Sequence, residues 1–354
     1  MSGNTFGKIL KLTSWGESHG EAIGGILDGV PSNIEISDED INYYMEKRRP
    51  KGSIGTTSRN ESDRVKILSG IFEGKTTGTP ISFVIENEDT RSKDYSKIKD
   101  LFRPGHGDYT YFMKYGNRDY RGGGRASARE TAVRVAGGAI ARKIIPHINI
   151  KGALIQIGDI AINENNWDNN EIDNNCFFSP DSNVVPKWQE LLEKIKAEGD
   201  SIGAMVKVVA SNVDAGLGEP VYNKLDAELA GAIMGINAVK SVEIGAGCEV
   251  VKMKGSNNCD FMKVENGKVV FESNNAGGIL GGISTGQDIV IKFAVKPTSS
   301  IAIEQNTITK DFKNTKISTT GRHDVCVGIR SIPVAEAMVA LVLADYYLLN
   351  KIYK

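Results

Sequence analysis

Apolar and polar positions alternate along residues 6–15, "FGKILKLTSW", which predicts a strand that delivers the glycine-rich segment following it. Residues 33–50, "NIEISDEDINYYMEKRRP", pass from a strand end into a helix capped by Ser37 and stopped before Pro50. Residues 63–87 predict two strands joined by a Gly/Thr turn. From Asp89 to Arg125 the apolar pattern gives way to a polar stretch rich in Arg, Gly, Tyr and Asp. Structureless connections of that length are uncommon and often functional. The helical period returns over 127–145, "SARETAVRVAGGAIARKII". There Ser127 and Glu130 have capping-box spacing, and Val133, Gly137, Ile140 and Ile144 form an apolar stripe. An exposed helix is predicted over 188–199, a strand over 201–211 and a helix of small residues over 223–239. Strands around 241–253 and 287–297 follow, then a final helix from about Pro333, since proline suits a first helical position. Hairpin-like strands mixed with long helices favour an α+β fold over a parallel βαβ sheet. "GGILDG" at 24–29 is echoed by "GGILGG" at 277–282, which hints at an internal repeat.

Composition narrows the function classes. With 354 residues, 40% of them hydrophobic, the chain can build a large core in one or two domains. A net charge of −1, spread without long blocks, argues against a nucleic-acid surface. Cys176, Cys248, Cys259 and Cys326 form no C-x-x-C pair and read as free thiols of a reducing compartment, with no metal site expected. The N-terminal segment lacks the apolar core of a signal peptide. The most apolar segment, 332–352, is interrupted by Glu336 and Asp345, so it predicts a buried helix rather than a membrane span. The expectation is a cytoplasmic protein with no membrane partner.

Residues 14–25, "SWGESHGEAIGG", pose the chemical question. Gly16–Gly20 fits the G-x-S-x-G elbow of a serine hydrolase, with Ser18 as nucleophile. Alternatively His19 is the working group and the glycines admit a ligand close to the backbone. An elbow normally follows several strands, and only fifteen residues precede Gly16. "GIFEGKTT" has three residues between Gly70 and Gly74 where a P-loop needs four, and "RGGGRAS" lacks both the spacing and the preceding strand of a dinucleotide fingerprint. Of the four histidines, His19, His106 and His323 are flanked by Gly, Arg and Asp, whereas His147 reads as an ordinary helix-end residue. Histidine exchanges protons near neutrality, and a departing phosphate needs a proton. Arg48, Arg49, Arg59, Arg121, Arg125, Arg129, Arg134, Arg322 and Arg330 are dispersed along the chain. Arg125 and Arg129 stand beside a glycine run at a helix N-terminus, a favourable place for an anion. The residues thus point to an enzyme that gathers several arginines and two or three histidines around small phosphorylated ligands.

Taken together, "GESHGEAIGGILDGVP" (16–31), "GRASARETAVRVAGGAI" (124–140) and "RHDVCVGIRSIPVAEAM" (322–338) resemble the three signature segments of the chorismate synthase family. "RPGHGDYTY", "DYRGGG", "GDSIGA", "GLGEP", "INAVK", "GGILGGIS" and "KPTSS" match it in order, so the resemblance spans essentially the whole chain as a single domain, residues 1–354. It implies a lyase of the shikimate pathway, serving aromatic amino acid biosynthesis. The reaction would convert 5-enolpyruvylshikimate 3-phosphate to chorismate and phosphate by 1,4-anti-elimination, with reduced FMN that is not consumed. The flavin would lend electron density as phosphate leaves and take up the C6 proton at N5. The implied fold sandwiches helices between antiparallel β-sheets with an internal pseudo-two-fold repeat, assembled as a homotetramer. By the same resemblance His19 protonates the departing phosphate with support from Ser18, His106 hydrogen-bonds and helps protonate the flavin, Asp324 relays the C6 proton, and Ser127 completes the catalytic set. Arg48, Arg49, Arg59, Arg129 and Arg322 would hold substrate. FMN would lie against Arg125, Ala126, Ser127, Asn237, Ala238, Gly281, Lys296, Pro297, Thr298, Ser299, Ser300 and Arg322. An NADP(H) contact would fall at Arg48, although Ile54 stands where many members carry a second arginine. Val325 replaces the commoner proline after "RHD". No additional flavin-reducing domain is evident, so reduced FMN would come from outside the chain.

Overall fold

In the computed structural model, residues 3–49, 55, 61–88, 99–319 and 323–353 are described. One five-stranded sheet consists of β1 (Thr5–Phe6), β2 (Lys11–Gly16), β3 (Ala22–Asp28), β4 (Lys66–Ile67) and β5 (Ile81–Glu86), in the order β1-β2-β3-β5-β4. The other consists of β6 (Asn149–Ile157), β7 (Ile160–Ala161), β8 (Ala204–Ser211), β9 (Val239–Ile244) and β10 (Ile289–Val295), in the order β9-β10-β8-β6-β7. Every pairing is antiparallel. The helices of eight or more residues are α1 (Asp38–Arg48), α2 (Asp108–Tyr115), α3 (Thr131–Ile144), α4 (Val185–Ala197), α5 (Leu225–Met234) and α6 (Gly328–Asn350).

The same topology occurs twice. In the first half the chain runs β2, β3, α1, β4, β5, α3, and in the second β6, β8, α5, β9, β10, α6. The sheet orders β2-β3-β5-β4 and β6-β8-β10-β9 correspond strand for strand. The repeat expected from the sequence is therefore present, but the "GGIL" echo does not mark it. Gly24 and Gly25 lie inside β3, whose counterpart is β8. Gly277 and Gly278 instead have positive φ, at 66° and 81°, and precede a two-residue hairpin between β9 and β10.

Helix α3 packs under the first sheet, α5 and α6 under the second, α3 lies against α6, and α1 packs against both α3 and α6. Small residues permit the close approach. A Cβ on Gly25 would come within 2.7 Å of Val133, and one on Gly138 within 2.4 Å of the Ala337 side chain. Inner strand faces supply Leu12, Ile23, Leu27, Phe83, Val206, Ile291 and Phe293 to one continuous core. Helix α6 is long and apolar enough to cross a membrane by composition, but 83% of that window is buried between the halves. Its two acids are bonded inside: Glu336 accepts from the Gly152 N–H at 2.7 Å and pairs with Arg142 at 3.0 Å. Asp345 accepts from the N–H groups of Lys8, Ile9 and Leu10, each at 2.8 Å.

Several expectations change in detail. Residues 6–15 split into β1 and β2, because the chain turns where Asp345 holds it. The 63–87 segment forms β4, a small hairpin (Ile71–Phe72 with Lys75–Thr76) and β5. The face of α4 bearing Trp188 and Leu192 is fully buried, so that helix is only partly exposed. Helix α6 starts at Gly328, with Pro333 inside it rather than first. The capping box at α3 does not form. Ser127 accepts instead from the Arg129 N–H and caps a short 3-10 turn, Ala128–Glu130, while Glu130 pairs with Arg134 at 2.8 Å.

Candidate active site

Residues 122–131 form a hub to which both halves bring side chains. Gly122 faces the β2–β3 connection, where an added Cβ would lie 2.1 Å from His19 Nδ1 and 2.8 Å from Ser18 Oγ. Only glycine lets these two groups approach the hub. The Gly122 carbonyl accepts from Arg103 at 3.3 Å, the Ala126 carbonyl from Asn237 at 3.0 Å, and the Ala128 carbonyl from Arg48 at 2.9 Å.

The two proton-handling candidates differ in setting. His19 Nδ1 is 3.0 Å from Ser18 Oγ, and Ser18 is 1% exposed. A nucleophile elbow is a strand-to-helix turn, but Gly16–Gly20 joins the antiparallel strands β2 and β3. The buried Ser18 hydroxyl lies where it can orient the His19 ring. His106 sits in a charged bracket at the start of α2. Its Nδ1 is 3.0 Å from Asp108 Oδ1, and Asp108 also accepts from Arg103 at 2.8 and 2.9 Å and from Arg118 at 2.8 Å. Burial pushes the His106 pKa down and Arg103 adds to the effect, while Asp108 pulls the other way without cancelling it. Burial raises the Asp108 carboxyl, but bonds from Arg103 and His106 outweigh it and hold the group far below the usual aspartate range.

The arginines form a second cluster around Asp63, which is 1% exposed. Arg48 donates to Asp63 at 2.9 Å and to Thr131 at 3.1 Å, and Arg129 donates to Asp63, to Asn87 at 2.8 Å and to the Glu86 carbonyl at 3.0 Å. Burial, then the neighbouring Arg330 and Arg129, push the Arg48 pKa down to about 10, against the opposing pull of Asp63. Burial would raise Asp63, yet Arg48 and Arg129 keep it below its ordinary value. Arg48, expected to hold substrate, is thus committed to internal partners and braces the hub from beneath. Arg49 caps α1 at the margin of this cluster. The anion cradle expected of Arg125 is occupied by protein oxygens: its guanidinium reaches Ser14 at 2.6 Å and the Gly16 carbonyl at 3.3 Å. It lines a cavity of about 600 Å³ with Trp15, Tyr111 and Tyr115.

The second half meets the hub on another side. Lys296 Nζ donates to the Gly105 carbonyl at 2.6 Å, and an added Cβ on Gly105 would lie 3.4 Å from Ser299. Ala238, at φ 70°, accepts from the Lys296 N–H at 2.9 Å. Pro297 packs on Gly203, the Thr298 carbonyl accepts from Ser201 at 2.7 Å, and Ser300 is buried. Among the described residues, Asn237 Oδ1 and Thr298 Oγ1 are buried without a hydrogen-bond partner. Unsatisfied buried polar atoms of this kind are what a bound polar group would complete. Asp324 accepts from Arg330 at 3.1 Å at the start of α6. Gly281 is not joined to this cluster. It lies at the tip of the hairpin Ile279–Leu280 and Ile283–Ser284, with open space where a Cβ would stand. Arg59, Arg322 and Ile54 lie outside the described residues. No group of His, Cys, Asp and Glu able to hold a metal occurs among the described residues.

Sequence reasoning missed Asp63, Arg103, Asp108 and Arg118. Asp108 carried a signal, two positions after His106 in a glycine turn. Asp63 carried none, since its partners Arg48 and Arg129 are 15 and 66 residues away.

Comparison with known proteins agrees along the chain. The profile of the chorismate synthase family matches residues 10–348. A chorismate synthase of Pelagibacter ubique (strain HTCC1062) is 54% identical over 356 residues, covering 99% of each chain. One from Paramagnetospirillum magneticum (strain ATCC 700264 / AMB-1) is 56% identical over 353 residues, covering 98% of each. A crystal structure of chorismate synthase superposes with a TM-score of 0.78 at 30% identity, covering 98% of this chain and 93% of that one.

Proposed function

The chain belongs to the chorismate synthase family, carbon–oxygen lyases of the shikimate pathway, and on that premise we propose how its own residues carry the elimination of phosphate from 5-enolpyruvylshikimate 3-phosphate. The observation that supports the reading is the meeting of His19 and the His106 bracket at Gly122. His19, oriented by Ser18, gives its proton to the departing phosphate. The family resemblance assigns Arg49, Arg59, Arg129 and Arg322 to the substrate's phosphate and carboxylates, and Arg48 fixes Asp63 beside Arg129. Ser127 holds the backbone of Arg129. Asp324, steadied by Arg330, takes part in removal of the C6 proton.

Reduced FMN, when bound, supplies electron density to the substrate and a place for the proton lost from C6. The residues that would hold it are Ala126, Ser127, Asn237, Ala238 and Lys296–Ser300, and the unsatisfied Asn237 Oδ1 and Thr298 Oγ1 suit a ligand rich in hydrogen-bonding groups. Arg125 steadies this wall through Ser14. An NADP(H) contact at Arg48 is not part of the reading, because its donors serve Asp63, Thr131 and Ala128. Reduced flavin comes from another protein or reductant. The chain works in the cytoplasm as a homotetramer, a reading that rests on the family alone.

The test is anaerobic turnover with FMN oxidised or dithionite-reduced, following phosphate release and chorismate absorbance. Turnover only with reduced FMN is the expected result. Absence of turnover in both states, from folded protein that binds FMN, overturns the assigned chemistry.

A further inference from the structure

The turn that carries His19 is held from outside its own strands. It runs from Glu17 to Gly20 and is closed by the Gly20 N–H, which donates to the Glu17 carbonyl at 3.2 Å. Ser18 and His19 are its two central residues. Strand β5 pairs with β3 as far as Glu86, opposite Ala22. The next residue, Asn87, therefore falls beside the turn, and its main-chain N–H donates to the Glu21 carbonyl at 3.0 Å. The Asn87 side chain reaches both ends of the turn: Nδ2 donates to the Glu17 carbonyl at 3.0 Å and to the Gly20 carbonyl at 2.9 Å. An amide nitrogen carries two hydrogens, enough for both carbonyls. At the other end of the amide, Oδ1 accepts from Arg129 Nε at 2.8 Å. These partners settle which way the amide faces, since two carbonyls require a donor and a guanidinium requires an acceptor. Arg129 is in turn fixed by the buried Asp63.

We propose that Asn87 is a positioning residue for the reaction: its amide staples the turn that carries His19 and ties that turn to Arg129, so that the proton donor and a substrate-binding cation keep one spacing. This rests on the reading above that gives His19 the proton for the departing phosphate and Arg129 a place at the substrate. The two groups come from separate segments, His19 from the β2–β3 connection and Arg129 from the 3-10 turn before α3. Asn87 joins them on one side, while Gly122 bounds the His19 ring on another. A misplacement of about 1 Å between groups that act on one substrate can cost about 10²-fold in rate. The side-chain bonds of Asn87 go to two peptide carbonyls and a guanidinium. It therefore acts through His19 and Arg129 and moves no proton itself.

The experiment compares Asn87→Asp and Asn87→Ala in the full chain loaded with FMN. Asn87→Asp keeps the side-chain shape and an acceptor for Arg129, but turns an acceptor oxygen toward two carbonyl oxygens, so it releases the turn alone. It is expected to lower kcat by about 10²-fold with KM little changed. Asn87→Ala releases Arg129 as well, and a several-fold rise in KM is expected in addition. Crystal structures supply a readout that needs no turnover: in Asn87→Asp the turn from Glu17 to Gly20 is expected to shift relative to Gly122. A folded Asn87→Asp with the wild-type kcat, or with an unmoved turn, overturns the proposal. So does a loss of kcat that only follows the fraction of protein still binding FMN. Should the variants fail to fold, the wild-type crystal structure decides, and an Asn87 Nδ2 beyond hydrogen-bond reach of either carbonyl overturns the proposal. A wild-type chain that shows the staple but releases no phosphate refutes the assigned reaction and leaves the tie between Asn87 and the turn in place.

Discussion

The two halves share one topology and contribute different chemistry. Equivalent connections reach the hub from each: the end of α1 brings Arg48 and the end of α5 brings Asn237, while the segment from β5 to α3 brings His106, Arg125 and Arg129 and that from β10 to α6 brings Lys296, Ser300 and Asp324. The first half supplies guanidinium and imidazole groups. The second supplies mostly an amide, hydroxyls and backbone turns. Duplicated scaffolding thus places two sets of loops around one centre, and the loops have specialised. The comparison also explains the one large asymmetry. The β2–β3 connection is a short turn that carries His19, whereas its counterpart between β6 and β8 spans 158–203, holds α4 and carries none of the expected site residues.

Removing the first half's charge organiser should break this arrangement most severely. Asp63→Ala leaves Arg48 and Arg129 buried without their shared counter-ion and should cost about 3–5 kcal/mol, read as a lowered urea midpoint. The same region makes the fold acid-sensitive. Asp63 and Asp108 have folded pKa values below the ordinary 3.8, so the stability they contribute is complete above that value and is lost as the pH falls toward their folded values. Thermal melts between pH 7 and pH 3 should show the decline, and Asp63→Asn should flatten it.

Gly122→Ala tests the hub itself. A methyl group would strike His19 Nδ1, and the displaced ring should cost about 10²-fold in kcat with little change in melting temperature. An unchanged rate would detach His19 from the chemistry. On the second half, Asn237→Ala removes the bond to the Ala126 carbonyl and a polar atom from the cofactor wall. About 1 kcal/mol, or several-fold weaker FMN binding by fluorescence titration, is expected. The smallest effect belongs to the hairpin of Met262–Glu265 and Lys268–Phe271, an addition within the second half whose Val264 and Val269 are exposed. Val264→Thr should stay within about 0.5 kcal/mol and leave turnover unchanged.

Legibility followed the periodicity of burial. Strands β8 and β10 were readable because buried and half-buried positions alternate along them, and helices α1 with its Ser37 cap and α3 because the few more open positions, such as Arg134, Arg142 and Lys143 in α3, keep a helical period. Strand β6 was not picked out, since Ala153, Leu154 and Ile155 are all buried and alternation fails there. Helix α6 gave a clear apolar signal but a misplaced start, because it is buried around most of its circumference. Helix α2 lay hidden in the polar stretch, as its residues serve the Asp108 bracket and the cavity wall more than the core. The histidines and arginines of the site were visible as residue types. Asp63 was not, because a buried ion pair between distant segments leaves no pattern in either one.

Helix α6 is the most enclosed element and is synthesised after both sheets. At about 5–20 residues per second, a ribosome takes roughly 10–40 s to pass from the end of α3 to the start of α6. For nearly all of that time α3 lacks the helix it packs against, and Lys8, Ile9 and Leu10 lack the Asp345 carboxylate that receives their N–H groups. The first sheet is therefore translated early but closed late. A nascent chain must hold apolar strands in a provisional state until α6 emerges, which makes the emergence of α6 the step at which chaperone dependence and sensitivity to loss of that helix concentrate.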